Sequence, residues 1–374
     1  MTKPVYIYVT PFFPGPDTWR GAYCYDFVNA LKSKGQFCVE VFKPGDGCDY
    51  EIDGINVHTF RTFDMPSNVF PFMTAGLNKR SFLCAVKEAG IEFGNIAVCH
   101  GNNIEYSIYP LAIKKRNRNC KMLLHHHSLG SFGFSAGRLR NNRLYRFFQT
   151  PILRFFHKQM DCHVFISEEC RRHFEQESCL KLNDYRILHN GVDISVFKLG
   201  LQKCKDKFVI GTVANFQKAK GYETTISALA RINKFLGDWE WRIVGSGGEE
   251  KRIKKAIIDA GIEKHVRFIK EVKHNELATY YQSLDLYVMP SYWEGFGCVY
   301  TEAYACGVPF IACKENNGIV DIAPEEWLIS KNDDLHLSEL ILSARRGKLP
   351  LLPLKGEYRL SLLVEDFINK MEVI

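Results

Sequence analysis

Residues 290–310 read Pro290-Ser-Tyr-Trp-Glu-Gly-Phe-Gly-Cys-Val-Tyr-Thr-Glu-Ala-Tyr-Ala-Cys-Gly-Val-Pro-Phe310. An apolar run, Leu284-Asp-Leu-Tyr-Val-Met289, precedes them, and the residues after Gly297 suit a helix. The order is strand, glycine-bearing turn, helix. It sets the N–H groups of a helix's first turn beside the carboxyl end of a strand, where α/β proteins hold phosphate. Glu294 and Glu302 stand eight positions apart, with Gly295, Phe296 and Gly297 between them. N–H groups for phosphate and carboxylates for hydroxyls are the combination a nucleotide sugar requires.

Upstream of this stretch the same alternation repeats. Strands are expected at 208–213, 241–244, 266–269 and 284–289, with helices at 222–235, 249–260 and 275–283. The first half shows a second series. Strands are expected at 5–10, 38–42, 55–60, 96–99, 121–124 and 162–166. Helices are expected at 22–31 and near 79–89, a short one after 99, and a long one broken near Pro151. Such alternation implies parallel sheets with helical crossovers. The polar run 198–207 reads as a linker, which gives domains at 1–200 and 201–355. A helical segment within 356–374 is expected to pack back on the first domain.

The totals are consistent with two globular domains. The chain has 374 residues, 46% apolar and 24% charged, with no repeat period. Its thirteen cysteines form no C-x-x-C pair, which suits unbridged thiols in a reducing compartment. No run approaches the roughly 20 apolar residues of a membrane span, so a cytoplasmic location is expected. The net charge of +7 is unevenly placed: residues 106–160 hold eleven Lys and Arg and no Asp or Glu. If 138–160 is helical, Arg140, Arg143, Arg154 and Lys158 gather on one side, and Leu144, Phe148, Ile152, Phe155 and Phe156 on the other. The plain reading is a core helix with a solvated basic face. The functional reading is a surface for an anionic membrane or a lipid-linked acceptor. Nucleic acid is not expected, because no recognised nucleic-acid module is present.

The chain resembles the retaining glycosyltransferases of family 4, which have the GT-B fold of two facing Rossmann-like domains with a central cleft. Five motifs carry the resemblance in order: Asp161 to Ser167, Asn190-Gly-Val-Asp193 with Phe197, Val213-Ala-Asn-Phe216 with Lys220-Gly221, Val244-Gly-Ser-Gly247, and Glu294 through Glu302. The resemblance implies transfer of a sugar from a nucleotide diphosphate, UDP or GDP, to a hydroxyl of a glycan or lipid-linked acceptor. It also implies a place in cell-surface polysaccharide or glycolipid synthesis. Glu302 would bind the ribose, while Glu294 with the N–H groups of Phe296 and Gly297 would hold the sugar. Lys220 would meet the diphosphate, and Gly245 lies in the next glycine turn. Gly21 would cap a helix facing the donor phosphates; its plain reading is a turn residue.

The departures are specific. Asn215 stands where relatives carry an arginine, so that either Lys218 substitutes or Lys220 carries more of the phosphate. Lys270 replaces a glycine where the base would stack. No D-x-D occurs, which favours transfer without a metal, and no cofactor is expected. His125, His126 and His127 end a strand. Side chains alternate along a strand, so the three do not share one ion, and no metal site is expected. The family places a histidine here, near the reacting sugar; His127 fits best, then His126, with His100 pointing into the same region. Two alternatives stay open: an epimerase or hydrolase on the same fold, and a non-catalytic nucleotide-sugar-binding subunit.

Overall fold

The computed structural model describes residues 3–15, 21–63, 74–129, 143–200, 207–270, 272 and 274–371. The chain divides into two units, Met1–His189 with Leu360–Ile374, and Asn190–Arg359.

The first unit runs β1 (Val5–Val9), α1 (Ala22–Ser33), β2 (Cys38–Pro44), β3 (Tyr50–Ile52), β4 (Ile55–Phe60), α2 (Ala75–Glu88) and β5 (Ile96–Asn102). It continues with α3 (Ile108–Lys114), β6 (Lys121–His126), α4 (Arg143–His157), β7 (Cys162–Phe165), α5 (Glu168–Ser178) and β8 (Tyr185–Ile187). The sheet order is β3-β4-β2-β1-β5-β6-β7-β8. Every pairing is parallel except that of β3 with β4. Strands buried on both faces read as near-continuous apolar runs, and β1 shows why: Tyr6 and Tyr8 enter one core, Ile7 and Val9 the other. Buried tyrosine hydroxyls need partners. Tyr6 Oη lies 2.6 Å from His100 Nδ1, and Tyr8 Oη donates to Asn102 Oδ1 at 3.0 Å.

The second unit runs β9 (Phe208–Val213), α6 (Tyr222–Ile232), β10 (Trp239–Val244), α7 (Glu250–Asp259), β11 (Val266–Ile269), α8 (His274–Gln282) and β12 (Leu286–Met289). Then follow α9 (Cys298–Ala305), β13 (Phe310–Cys313), β14 (Leu328–Ile329) and α10 (Asp334–Arg345). Its sheet, β11-β10-β9-β12-β13-β14, is wholly parallel. This is the doubly wound order, which reverses between β9 and β12.

The last helix described, α11 (Leu360–Asn369), belongs to the first unit. Leu360, Val364, Phe367 and Ile368 form its apolar stripe and join the core beneath α1, where Phe367 meets Phe27 edge-on at 6.0 Å. Lys34 and Glu365 close the outer side at 2.5 Å.

Three expectations change. The division lies between His189 and Asn190, not at 200. Val192 donates its N–H to Tyr358 at 2.8 Å, and Phe197 packs on Tyr281 at 6.1 Å, so the Asn-Gly-Val-Asp segment is built into the second unit. Part of the expected linker, 201–206, lies outside the described residues, as does part of the 11–20 loop. Secondly, α4 is not broken at Pro151. Proline removes one donor, and the helix continues through it to His157. Thirdly, the apolar side of α4 does not face inward as a whole: Ile152 and Phe155 are exposed, with Phe147 beside them, while Arg154 turns in and donates to the Ser178 carbonyl at 2.6 Å.

Candidate active site

Where the strand order reverses, neighbouring strands send their outgoing loops in opposite directions and leave a crevice at their carboxyl ends. In the second unit those loops are 214–221, after β9, and 290–297, after β12. They are fastened to each other. Tyr292 N–H and the Ser291 hydroxyl both donate to the Ala219 carbonyl, at 3.0 and 3.1 Å. Gly221, at φ +74°, lies so close that a Cβ would sit 2.3 Å from the Pro290 carbonyl oxygen. This left-handed, crowded position admits glycine alone without strain.

Lys220 rises from a single 3-10 turn, Lys218–Lys220, and its ammonium directly contacts Glu294 Oε2. Both side chains are mostly covered, 16% and 19% exposed, so water weakens the pair less than it would at the surface. The Glu294 backbone is clamped on both sides: its N–H donates to Asn316 O at 2.8 Å, and its carbonyl accepts from Gly318 at 3.0 Å. Behind it, buried Asn317 donates to the Ser291 carbonyl at 3.1 Å and lies 3.2 Å from the Tyr300 hydroxyl.

Gly295 and Phe296 lead from Glu294 to Gly297, the left-handed cap of α9, and the Phe296 ring is buried. Glu302 lies on α9 with part of its surface accessible, and accepts from the Tyr281 hydroxyl at 2.7 Å. Burial pushes its carboxyl up to about 7, against the opposing effect of the tyrosine bond. Gly245 directly follows β10 and donates to Ile269 O at 3.3 Å.

Two residues stand apart from the pair. Lys270 is exposed past β11, two strands from the reversal point, where its charge acts on Glu250. Asn215 is exposed, and its carbonyl turns the loop by accepting from Gln217 at 2.9 Å. Between the two lysines the geometry is unequal. Lys218 lines a groove with Glu223, Glu249 and Arg252, while Lys220 alone of the two meets Glu294.

In the first unit the order reverses between β1 and β5, and the same argument applies. Gly21 caps α1 at φ +92°, where a Cβ would sit 2.4 Å from the Phe12 carbonyl oxygen. Within the first turn of that helix, the Tyr23 ring lies 5.0 Å from the His127 ring. His127 Nε2 is 2.6 Å from Asn102 Oδ1. That oxygen only accepts, so Nε2 carries the hydrogen and Nδ1 keeps a lone pair. Nδ1 is buried and has no hydrogen-bond partner among the described residues. Burial pulls the ring down to about 3, so it is neutral at physiological pH.

The other histidines separate from it. His100 is fully buried, held by Tyr6 and stacked on His125 at 5.2 Å; it is a core residue. His126 points to the opposite face of the sheet and joins His163, away from Asn102 and His127. Arg143 is the first residue of α4, and Arg140 lies outside the described residues. Asn317, Tyr281 and Asn102 were not legible beforehand. Each acts on a residue at least 21 positions away, and no local pattern marks it.

Two doubly wound α/β units in one chain define a GT-B protein, and comparison with known proteins is specific about which. Residues 21–196 match the model of Glycosyltransferase Family 4, and residues 196–348 that of Glycosyl transferases group 1. The chain belongs to the family 4 glycosyltransferases. Over 119 residues, 32% of the chain, it is 33% identical to an uncharacterized glycosyltransferase of Haemophilus influenzae. Over 141 residues, 34% of the chain, it is 30% identical to D-inositol 3-phosphate glycosyltransferase of Mycobacterium bovis. These matches span about a third of the curated relatives' own lengths, 33% and 28%.

Among solved structures, sucrose-phosphate synthase of Thermosynechococcus elongatus aligns over 98% of both chains with a TM-score of 0.74 and 19% identity. Anabaena HepE in complex with UDP aligns over 99% of this chain and 100% of its own, with a TM-score of 0.71 and 17% identity. The fold is GT-B.

Proposed function

We infer that the protein transfers a sugar from a nucleotide-diphosphate sugar to a hydroxyl of a glycan or lipid-linked acceptor, with the anomeric configuration retained. The observation that carries this reading is the Lys220–Glu294 contact at the carboxyl ends of β9 and β12. On this reading the acceptor oxygen bonds to the anomeric carbon as the bond to the diphosphate oxygen breaks. The diphosphate leaves with the electron pair, and the acceptor's proton passes to it or to water. Lys220 exchanges its Glu294 partner for the diphosphate and stabilises the charge that develops there. Glu294, released, accepts hydrogen bonds from sugar hydroxyls and positions the ring; no protein nucleophile is assigned. Glu302 accepts from the ribose. In the first unit the α1 N-terminus at Gly21 is suited to an anion, and neutral His127 keeps an Nδ1 lone pair able to accept from a hydroxyl.

A UDP-sugar is the donor we favour, since HepE has been crystallised with UDP and with UDP-glucose at TM-scores of 0.71 and 0.70. The exposed Phe147, Ile152 and Phe155 of α4, in a stretch rich in Lys and Arg, support attachment to an anionic membrane surface. No helix among the described residues is long and apolar enough to cross a membrane. Such attachment would suit cell-surface polysaccharide or glycolipid synthesis.

Thermal shift against UDP-, GDP- and ADP-sugars is the primary test, with product configuration read by NMR. A shift with one base series and transfer to an added acceptor is expected. No shift with any nucleotide sugar would end this reading. Sedimentation with anionic vesicles at low and high salt tests the membrane surface separately.

A further inference from the structure

We propose that His126, His157 and His163 form a binding site for one divalent transition-metal ion, zinc or a chemically similar ion, inside the first unit. The three rings come from separate elements: the last residue of β6, the last residue of α4, and β7. One ring nitrogen from each can be chosen so that all three lie within 4.8 Å of one another. Strand alternation does forbid His125, His126 and His127 from sharing an ion. The same alternation sends His126 alone to the far face, where two histidines distant in sequence meet it.

The hydrogen bonding is that of a ligand set. His163 Nε2 lies 3.0 Å from the His157 carbonyl oxygen, which only accepts, so Nε2 carries the hydrogen. His163 Nδ1 therefore holds a lone pair, aimed at His126 Nε2 3.0 Å away. A second nitrogen donating to a backbone carbonyl is how metal-bound histidines are oriented. Tetrahedral bonds of about 2.0–2.1 Å place two ligands roughly 3.3 Å apart, so that pair needs to open by only a few tenths of an ångström. On metal binding His126 moves its proton to Nδ1, a buried atom with no hydrogen-bond partner among the described residues.

Protonation also favours binding. The rings are 0%, 1% and 3% exposed, and burial holds them in the neutral, ligating form. Access exists as well. A cavity of about 370 Å³ is lined by His157, His163, Met160, Asn183 and Asp184, and can supply a water to a fourth position. Asp184, the acid in that lining, acts electrostatically on His163. Three imidazoles suit zinc, nickel or copper better than magnesium or calcium. The ion would tie the end of α4 to β6 and β7, a structural role apart from the sugar-transfer residues.

Titrating the chelator-treated full chain with Co²⁺ tests this directly. One ion per chain is expected, with visible bands of low-symmetry nitrogen and oxygen ligation, displacement by Zn²⁺, and a higher melting temperature with Zn²⁺. H126Q and H157Q should each weaken Co²⁺ binding at least tenfold. X-ray absorption of Zn²⁺-loaded wild type should show about three imidazole ligands, a readout that needs no variant to fold. The proposal is overturned if wild type binds no Co²⁺ at micromolar concentration. Thiolate-to-cobalt charge-transfer bands, or wild-type affinity in folded H126Q or H157Q, overturn it equally.

Discussion

Lys220 and Glu294 are in contact although 74 positions separate them, because the loops after β9 and β12 meet at the point where the strand order reverses. A lysine held against a carboxylate is aimed before any substrate arrives. It also carries a penalty on the proposed function: donor binding must replace the Glu294 contact with a phosphate contact of at least equal strength.

Lys220→Ala should therefore lower turnover by about 10²–10³-fold, the loss usual for one donor aimed at developing charge. Lys218→Ala, whose side chain lines a different groove, should stay within about threefold of wild type. Steady-state rates with a UDP-sugar decide the matter, and equal losses in the two variants would contradict the assignment.

On the proposed function, Glu302 should make donor affinity depend on pH. Its carboxyl lies at about 7 without donor, so near pH 6 most molecules hold it protonated. Ribose hydroxyls donate to the ionised form, so binding should strengthen from pH 6 toward 8 and release up to one proton below pH 7. Calorimetry in two buffers of different ionisation enthalpy measures that proton. Glu302→Gln should bind more weakly and release none.

Gly221→Ala should destabilise the second unit. The alanine adopts φ +74° and presses on the Pro290 carbonyl. Such strain is worth about 1–3 kcal/mol, or roughly 2–12 °C in Tm for a unit of this size. Gly248→Ala, with open space around its Cβ, is the control and should leave Tm unchanged. Calorimetry that finds the two variants alike would refute the close approach.

The first unit should unfold in mild acid. Unfolded histidines take up protons below about 6.5, whereas His100 and His127 resist until about 3 and His163 until about 4. The unfolded state thus binds more protons across that window, and stability falls as pH drops from about 6.5 toward 4. Each ring contributes up to about 1.4 kcal/mol per pH unit. His125, His126 and His157 are shifted in the same direction. Several such rings together exhaust a typical stability of about 5–15 kcal/mol within two pH units. Circular dichroism of chelator-treated protein should show loss of structure between pH 5 and 6, and an intact spectrum at pH 4 would count against the buried cluster.

Much of the architecture was legible because strands buried on both faces announce themselves as apolar runs, as β1, β9 and β12 do. Three of the edge strands did not: β3, β8 and β14 are two or three residues long and carry no such run. The turn holding Glu294 and Gly297 was readable from local spacing. The clamp around it was not, since Asn316, Asn317 and Gly318 follow β13 and reach Glu294 only through the fold. The inward turn of Arg154 was hidden for a similar reason: its partner, the Ser178 carbonyl, is a backbone atom 24 positions away.

The placement of α11 has a consequence for biosynthesis. Residues 190–359 form an uninterrupted unit, which can complete its sheet once Arg359 has left the ribosome. The first unit is synthesised earlier yet waits longer, because Val364, Phe367 and Ile368 fill a core whose other wall, Phe27 and Val28 on α1, is made more than 300 residues before. Until α11 emerges, that wall stands open to solvent. A ribosome-bound nascent chain that ends in a flexible extension fused after Arg359, long enough to bring Arg359 out of the exit tunnel, should therefore carry a protease-resistant second unit and a cleavable first one.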